Sequence, residues 1–345
     1  MSALKSYLAK AADGVVLDEA EAEVAFDAIM SGVAEPVESA AFLIALKVRG
    51  ETPAELVGAA RALRSRVLKV NAPKGAIDTV GTGGDHSGTF NISTAAALVT
   101  AACGVPVAKH GNRAATSQSG AADVLAALGV NLDVTPETVE RALRETNIGF
   151  MFVQKHHSAF KNVAELRKQL GVRTIFNLIG PLCNPAGATR QLVGVFDRKW
   201  MMPMAEALAR LGSERAWVVH GSDGLDEITT TGTTYVIEML GGNMRSFEIV
   251  PEDIGLKRAS PGDLKGGDAA TNAAALRTLV HGRGGAYRDI AQLNAAAALV
   301  IAGKAPDLKA GSEMALDAII NGRAAKVLAA LVAITNSQSS SQASP

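Results

Sequence analysis

The sequence predicts an α/β protein made of a small all-helical domain and a large domain with a mostly parallel central sheet flanked by helices. Residues 1 to about 70 contain helix patterns only. From Ile77 onwards, short apolar runs alternate with helical segments, which is the pattern of βαβ units. Between the two regions, residues 71–75 (NAPKG) break both patterns and predict a domain linker.

Three helices are predicted before the linker. Asp18 can cap the first of them, EAEAEVAFDAIMSG, because its side chain can accept from an unpaired N–H of the first turn. The second runs from Glu38 to Arg49 and ends at a glycine. The third opens with Pro53, whose missing N–H costs nothing in a first turn, and is predicted to continue through Leu68.

The larger region contains five short apolar runs that predict strands: AIDTV, VPVAK, IGFMFV, QLVGVF and RAWVVHG. Helical segments such as STAAALVTAACG and MPMAEALARLG separate them, and two Ala-rich helices are predicted near the end, Ile290 to Ala302 and Ser312 to Ile334. Residues 336–345 are polar and of low complexity, which predicts a disordered tail.

Composition narrows the classes of function. Lys+Arg and Asp+Glu are both 34, and this zero net charge argues against nucleic acid as a partner. No run of about 18 uncharged apolar residues is present, so no membrane span is predicted. The two cysteines, Cys103 and Cys183, cannot form a disulfide framework and favour a reducing cytoplasm.

A glycine-rich loop follows the first predicted strand. Residues 78–94, DTVGTGGDHSGTFNIST, hold four glycines and lead into a helix that begins near Ser93. Ligands of parallel sheets lie outside the carboxyl ends of strands, glycines let backbone approach them, and a helix N-terminus favours an anion. Phosphate is the expected occupant. The alternative is an ordinary strand–helix turn capped by Ser93, and the loop alone does not decide between them.

A second polar loop follows the second strand, KHGNRAATSQSG at 109–120. The charge of Lys109 and backbone N–H groups around Thr116 and Ser117 suit a second phosphate. The alternative is a solvated loop, but two such loops at successive strand ends favour an anion site.

An acidic turn follows a later strand, in GSDGLDE at 221–227. Asp226 and Glu227 at a strand end suit a hard divalent cation that keeps most of its waters. The alternative is a plain turn, because SDG is a strong turn signal.

Together, four segments resemble a known family. GTGGD with TFNISTAAA, KHGNRAATSQSGAADVL, ELRKQLGVRTIFNLIGPLCNPA and HGSDGLDEIT resemble the anthranilate phosphoribosyltransferases of tryptophan biosynthesis, over about residues 5–335. The resemblance implies a small domain of residues 1–72 with a returning helical segment near 160–190, and a large phosphoribosyl-binding domain of residues 73–335. It also implies a hinge between them and a homodimer formed through the small domain.

The resemblance also implies the reaction and its ligands. The phosphoribosyl group of phosphoribosyl pyrophosphate (PRPP) would pass to the amine of anthranilate, giving N-(5-phosphoribosyl)anthranilate and diphosphate. Mg²⁺ would be held by Ser93, Asp226 and Glu227. Lys109 and Arg167 would act electrostatically, and no residue stands out as a general base. PRPP would be held by both loops, at Gly81, Gly84, Asp85, Thr89, Asn91, Ile92, Ser93, Thr94, Lys109, His110, Gly111, Asn112, Arg113, Ala114, Ala115, Thr116, Ser117 and Ala121.

Anthranilate would contact Gly81, Asn112 and Arg167, with the Arg167 guanidinium on its carboxylate. From the residues alone, Arg167 is instead predicted to be a solvated charge on a helix. The chain departs from the family pattern beside the acceptor path, where residues 152–159 read FVQKHHSA in place of Ala-Pro and His-Pro-Ala runs. Ala121 also stands where a serine is common.

Two other functions share parts of this pattern. Pyrimidine nucleoside phosphorylases have the same architecture, but their glycine loop has a Lys-His-Ser lead-in that residues 78–80 (DTV) do not supply. A non-enzymatic, nucleic-acid-binding relative would have a basic groove and degraded magnesium residues. The zero net charge and the intact Asp226-Glu227 pair argue against it.

Overall fold

In a computed structural model, residues 4–114 and 118–337 are described, and their strands form a single seven-stranded sheet. The strands are β1 (Ile77–Gly81), β2 (Val107–Gly111), β3 (Ile148–Phe152), β4 (Arg190–Gly194), β5 (Arg215–Gly221), β6 (Thr234–Leu240) and β7 (Asn243–Ile249). Their spatial order is β3-β2-β1-β4-β5-β6-β7. Strands β1 to β5 pair in parallel, as predicted, whereas β6 and β7 add an antiparallel hairpin that was not predicted.

The order of the strands places a crevice at the centre of the sheet. From β1 the chain moves outward through β2 and β3 on one side, and then returns to start β4 on the other side of β1. Connections that leave in opposite directions open a gap at the carboxyl ends of the two adjacent strands, where ligands of α/β proteins bind. Gly81 and Gly194 are paired across β1 and β4 at this end.

Four helices precede the sheet: α1 (Lys5–Ala12), α2 (Glu19–Met30), α3 (Pro36–Arg49) and α4 (Pro53–Arg64). The predicted cap is present, because the Glu21 N–H donates to Asp18 Oδ1 at 2.8 Å. The prediction that the third helix continues through Leu68 is wrong. The Leu68 N–H donates to His156 O at 2.9 Å, so the backbone there pairs with a distant segment and leaves the helix.

Ten further helices follow β1 among the described residues. They are α5 (Ile92–Ala102), α6 (Ala121–Ala127), α7 (Pro136–Thr146), α8 (Val153–His156), α9 (Lys161–Leu170), α10 (Met201–Arg210), α11 (Ala269–Val280), α12 (Ala286–Ile301), α13 (Leu308–Ile320) and α14 (Arg323–Asn336). The prediction of one helix from Ser312 to Ile334 is wrong, because the chain bends by 64° between α13 and α14. Gly322, with φ of +67°, makes the bend.

The predicted tail is only partly within the described residues. Asn336 still belongs to α14, and residues 338–345 of the predicted tail lie outside the described part. Among residues 4–114 and 118–337, no single helix is long and apolar enough to cross a membrane. The helices α13 and α14 have the required length and apolar composition only when they are taken together, as a bent pair.

Each face of the sheet has its own core because successive strand residues point to opposite faces. Leu192 and Trp217 pack with α5 and α12 in one hydrophobic cluster. Val193 and Val218 belong to another, which also contains the N-terminal helices, α10 and apolar residues between 159 and 183. Within it, the Phe176 ring lies edge-on to Phe26 with 5.9 Å between centroids. Residues 159–183 therefore pack against the N-terminal helices, although they follow β3 in the chain.

Candidate active site

A cleft of about 350 Å³ lies at the carboxyl ends of the central strands. Every described residue that the sequence analysis placed at a ligand lines it: Gly81, Gly84, Asp85, Thr89, Asn91, Ile92, Ser93, Thr94, Lys109, His110, Gly111, Asn112, Arg113, Ala114, Ala121, Arg167, Asp226 and Glu227. Ala115, Thr116 and Ser117 lie outside the described residues. The fold thus brings the two polar loops, the acidic turn and Arg167 together.

The acidic turn crosses directly over the ends of β1 and β4. A Cβ on Gly194 would lie 1.6 Å from the backbone oxygen of Asp226, and a Cβ on Gly81 would lie 2.4 Å from Asp226 Oδ2. Both glycines are therefore required for this close approach. Gly194 was missed in the sequence, where the only signal was a glycine inside the predicted strand QLVGVF.

Backbone donors orient the two carboxylates of the acidic turn. The Gly83 N–H donates to Asp226 Oδ2 at 2.6 Å, and the Ser93 N–H donates to Glu227 Oε1 at 3.1 Å. Gly83 has a φ of +71°, which is readily adopted only without a side chain. The glycine loop and the first turn of α5 are thereby connected to the acidic turn.

Burial and like charge make these carboxylates difficult to ionise. Burial raises the pKa of Asp226 well above its usual value, and the charges of Asp85 and Glu227 raise it further. Burial also raises the pKa of Glu227 to about 7, although the nearby Lys109 ammonium opposes the shift. A bound cation would stabilise both ionised groups, so the site fits Mg²⁺. Within the described ranges, no group of three or more Asp, Glu, His or Cys side chains is arranged to hold a metal ion.

Lys109 supplies a fixed positive charge at the floor of the cleft. It is 2% exposed, and its Nζ donates to Thr79 O at 2.6 Å and to Ser93 Oγ at 3.2 Å. Burial lowers the Lys109 pKa, whereas the charges of Asp78 and Glu227 raise it. Burial is the larger effect, so the net shift of the Lys109 pKa is downward, and the neighbouring carboxylates only reduce that shift.

Arg167 is not the solvated helix charge that its local sequence predicts. Its guanidinium carbon lies 5.8 Å from the Phe160 ring centroid and 5.9 Å from that of Phe176, and burial lowers its pKa. Among the described residues no carboxylate forms an ion pair with it. The cleft therefore contains a guanidinium, held over aromatic rings, that can bind an anionic group.

His110, which lines the cleft, forms a buried pair with His157. The Nε2 atoms of His110 and His157 lie 3.2 Å apart, so one ring donates and the other accepts. Burial lowers the His157 pKa to about 4, and burial together with His157 lowers that of His110 well below its usual value. His156 instead makes a 2.7 Å contact from Nδ1 to Leu68 O. These contacts are those of packing and hydrogen-bonding residues.

Asp123, which the sequence analysis missed, organises the second polar loop. Its Oδ2 accepts from the N–H groups of Ala114 and Gly120 at 2.9 and 3.0 Å, on both sides of the loop. Its Oδ1 accepts from Arg113 Nη1 at 2.7 Å, so the Arg113 charge already has a partner.

Another cavity, of about 470 Å³, is more open and lies at the hairpin edge of the sheet. Its carboxylate, Glu238, already accepts from Arg215, Trp217 and Arg245. None of the predicted ligand residues lines it, so the smaller central cleft is the candidate site.

Two family models match the chain. The glycosyl transferase family helical bundle domain matches residues 5–67, and the glycosyl transferase family a/b domain matches residues 73–325. Anthranilate phosphoribosyltransferase from Rhodospirillum rubrum is 60% identical over 337 residues, covering 98% of this chain and 97% of that protein. The enzyme of the same name from Azospirillum brasilense is 60% identical over 334 residues, covering 97% of this chain and 94% of the other.

Solved structures agree with the sequence relatives. The crystal structure of anthranilate phosphoribosyltransferase from Thermus thermophilus has a TM-score of 0.91 and 46% identity, covering 97% of this chain and all of that one (100%). The Saccharomyces cerevisiae enzyme in complex with PRPP and Mg has a TM-score of 0.89 and 28% identity, covering 97% and 98%. The predicted two-part α/β fold is confirmed, and the chain belongs to the glycosyl transferase family and, within it, to the anthranilate phosphoribosyltransferases.

Proposed function

We propose that this chain transfers the phosphoribosyl group of PRPP to the amine of anthranilate, as a step of L-tryptophan biosynthesis. The observation that carries the proposal is the convergence, in one cleft, of the two polar loops, the Asp226-Glu227 turn and Arg167, which forms no ion pair with any carboxylate in the described part of the chain. The two loops and the acidic turn suit a phosphorylated substrate with a divalent cation. Arg167 suits the carboxylate of the acceptor. Neither a nucleoside base nor a nucleic acid would need a separate guanidinium for a carboxylate.

PRPP is assigned to the glycine loop, the start of α5 and the second polar loop, with the residues that the resemblance implies. Lys109 provides charge, and the N-terminus of α5 provides the positive end of the helix dipole, although the N–H groups of Ile92 and Ser93 already donate to Phe90 O and Glu227 Oε1. Thr94 supports the assignment: its Oγ1 is buried and has no hydrogen-bond partner among the described residues, as expected for a donor that awaits a ligand.

Mg²⁺ is assigned to Asp226, Glu227 and Ser93, whose oxygens are hard ligands. When bound, the ion neutralises negative charge on the diphosphate as it leaves. The raised pKa values of Asp226 and Glu227 support the assignment, because two buried neighbouring carboxylates need a compensating charge.

The chemistry needs positioning and charge stabilisation more than proton transfer. The anthranilate nitrogen uses its lone pair to bond to C1 of the ribose, while the C1–O bond breaks and its electron pair leaves with diphosphate. The nitrogen then loses a proton to water. Lys109 and the N–H groups of the glycine loop stabilise the leaving oxygens, and Arg167 holds the acceptor carboxylate so that its amine faces C1.

We propose that the protein is located in the cytoplasm. We also propose that its domains comprise residues 1–72 and residues 73–335. Cys103 and Cys183 are free thiols, which suits a reducing compartment. Residues 159–183 share a hydrophobic core with the N-terminal helices, which supports a returning segment near 160–190 in the small domain.

Arg167→Ala is expected to lower kcat/KM for anthranilate by about 10- to 150-fold, since a charge-assisted hydrogen bond is worth roughly 1.5–3 kcal/mol. PRPP affinity should hardly change, because other residues hold the phosphates. Diphosphate release is measured with anthranilate and with aniline, which lacks the carboxylate. The wild type should strongly prefer anthranilate, and the variant should lose most of that preference.

The matched control is Lys168→Ala, which removes an exposed charge from the next position of α9. It should keep the wild-type preference. If Arg167→Ala keeps that preference too, another residue binds the carboxylate. If the wild type uses neither acceptor with PRPP and Mg²⁺, the proposed function is wrong.

A homodimer through the N-terminal helices is also proposed, supported by exposed valines. Val37 and Val48 are 80% and 81% exposed on α3, and eleven residues, about three turns, put them on one face. We expect Val37→Asp with Val48→Asp to turn a dimer into a monomer in light scattering, while Leu240→Asp, at an exposed position of the β6–β7 hairpin, leaves the dimer intact. A wild-type monomer, or a dimer unaffected by the valine changes, would contradict this interface.

A further inference from the structure

Four Lys and Arg side chains line the described part of the cleft: Lys109, Arg113, Arg167 and Arg173. Arg113 is paired with Asp123, and Lys109 is bonded to backbone and to Ser93. Among the described residues, the two remaining guanidinium groups have no carboxylate partner. The proposed reaction brings two anionic substrates. Arg113, which is assigned to PRPP, is already paired with Asp123, so only the acceptor has so far been given a guanidinium that has no carboxylate partner among the described residues.

Arg173 is held against the glycine loop from two sides. Its Nη2 donates to Gly84 O, and its guanidinium carbon lies 4.4 Å from the Phe196 ring centroid. Phe196 is itself tied to the loop, because its N–H donates to Thr82 Oγ1 at 3.1 Å. The orientation of the guanidinium is therefore set before a ligand arrives. A guanidinium has five N–H donors, and only one is engaged by a described residue.

The position of Arg173 distinguishes between the two ends of PRPP. Gly84, its partner, lies between Gly83, whose N–H holds Asp226, and Asp85, whose charge acts on both carboxylates of the acidic turn. This is the proposed metal end of the cleft, where diphosphate would lie. The second polar loop, with Arg113 and Ala114, follows a different strand.

We propose that Arg173 is a binding residue for the diphosphate of PRPP, an inference that rests on the proposed function. Its planar fork presents the free N–H groups to the non-bridging diphosphate oxygens while Gly84 and Phe196 keep the fork in place. Arg173 and Arg167 lie on the same segment, six positions apart, and divide the two anions between them: Arg173 binds the donor and Arg167 binds the acceptor.

The test measures the binding of three ligands by calorimetry in the presence of Mg²⁺: inorganic diphosphate, PRPP and ribose 5-phosphate, which lacks the diphosphate. Arg173→Ala is expected to weaken diphosphate and PRPP binding by about 10- to 150-fold and to leave ribose 5-phosphate unchanged. Arg173→Lys should recover only part of the loss, because a point charge cannot form two parallel hydrogen bonds. Arg167→Ala should show the opposite pattern, with normal diphosphate binding and a lost preference for anthranilate over aniline.

Each other result overturns the inference. Equal weakening of all three ligands means that Arg173 only shapes the glycine loop. Unchanged diphosphate binding removes it from the site, and loss of the preference for anthranilate assigns it to the acceptor. If Arg173→Ala does not fold, Arg173→Lys decides between the same outcomes. These failures are separate from failure of the proposed function, which the wild type alone reveals if it makes no product from PRPP and anthranilate.

Discussion

Asp226→Asn combined with Glu227→Gln is expected to lower kcat/KM by about 10³-fold and to raise the Mg²⁺ concentration needed for half-maximal rate. Removing one preorganised electrostatic group from an active site lowers the rate by about 10²- to 10³-fold. The effects of removing two groups that act on one ion are not fully additive. Both amides keep an oxygen that can accept from Gly83 and Ser93, so the acidic turn should keep its shape. The measurement is a Mg²⁺ titration of the initial rate.

The thermal stability of the double variant shows whether it has lost only the metal site or has failed to fold. The two carboxylates are buried beside each other, and burial makes their charged forms costly. Neutral amides should therefore leave the thermal midpoint of the metal-free protein unchanged or raise it. Unchanged Mg²⁺ dependence in a folded double variant would remove both residues from the proposed metal site.

Gly194→Ala is expected to lower kcat/KM by about 10²- to 10³-fold, although the glycine has no functional group. The new Cβ would lie 1.6 Å from Asp226 O and 2.3 Å from its carbonyl carbon, and backbone atoms of a packed interior cannot yield cheaply. The acidic turn must shift, and a displacement of about 1 Å in an active site can cost about 10²-fold. PRPP and Mg²⁺ binding should weaken together.

Gly262→Ala is the matched control, because a Cβ there would meet no atom within 4 Å and no positive φ is involved. It should retain wild-type kinetics. Wild-type activity in Gly194→Ala would mean that the acidic turn can move without loss of activity. That result would contradict the proposal that Asp226 and Glu227 must be held in a fixed position to bind Mg²⁺.

The elements that the sequence predicted were those with a strong local pattern. The five parallel strands and the polar loops after them follow from apolar runs, glycines and caps within a few residues of one another. Strand β7 was missed because it is largely exposed and carries polar and charged side chains. Strand β6 (TYVIEML) is mostly buried and was overlooked despite its apolar residues. One helix end was misplaced because a distant segment binds the backbone there: Leu68 leaves its helix to pair with His156, a partner 88 positions away.

The parts of the site that were missed depend on contacts between distant segments. Nothing next to Gly194 in the chain indicates that Asp226 crosses over it. Arg167 was named only through the family resemblance, because its local sequence predicts a solvated helix charge and only the fold places the rings of Phe160 and Phe176 against it. Arg173 likewise has no local signal, because its partner Gly84 lies 89 positions earlier.

The most direct test of the central claim is the fluorescence of anthranilate mixed with the wild-type protein. With PRPP and Mg²⁺ present, we expect the anthranilate signal to fall as the amine is ribosylated, and one diphosphate to appear for each anthranilate consumed. The signal should persist when PRPP is left out or when the Asp226→Asn, Glu227→Gln protein is used at the same concentration. A steady anthranilate signal with the folded wild-type protein, PRPP and Mg²⁺, with no release of diphosphate, would contradict the account.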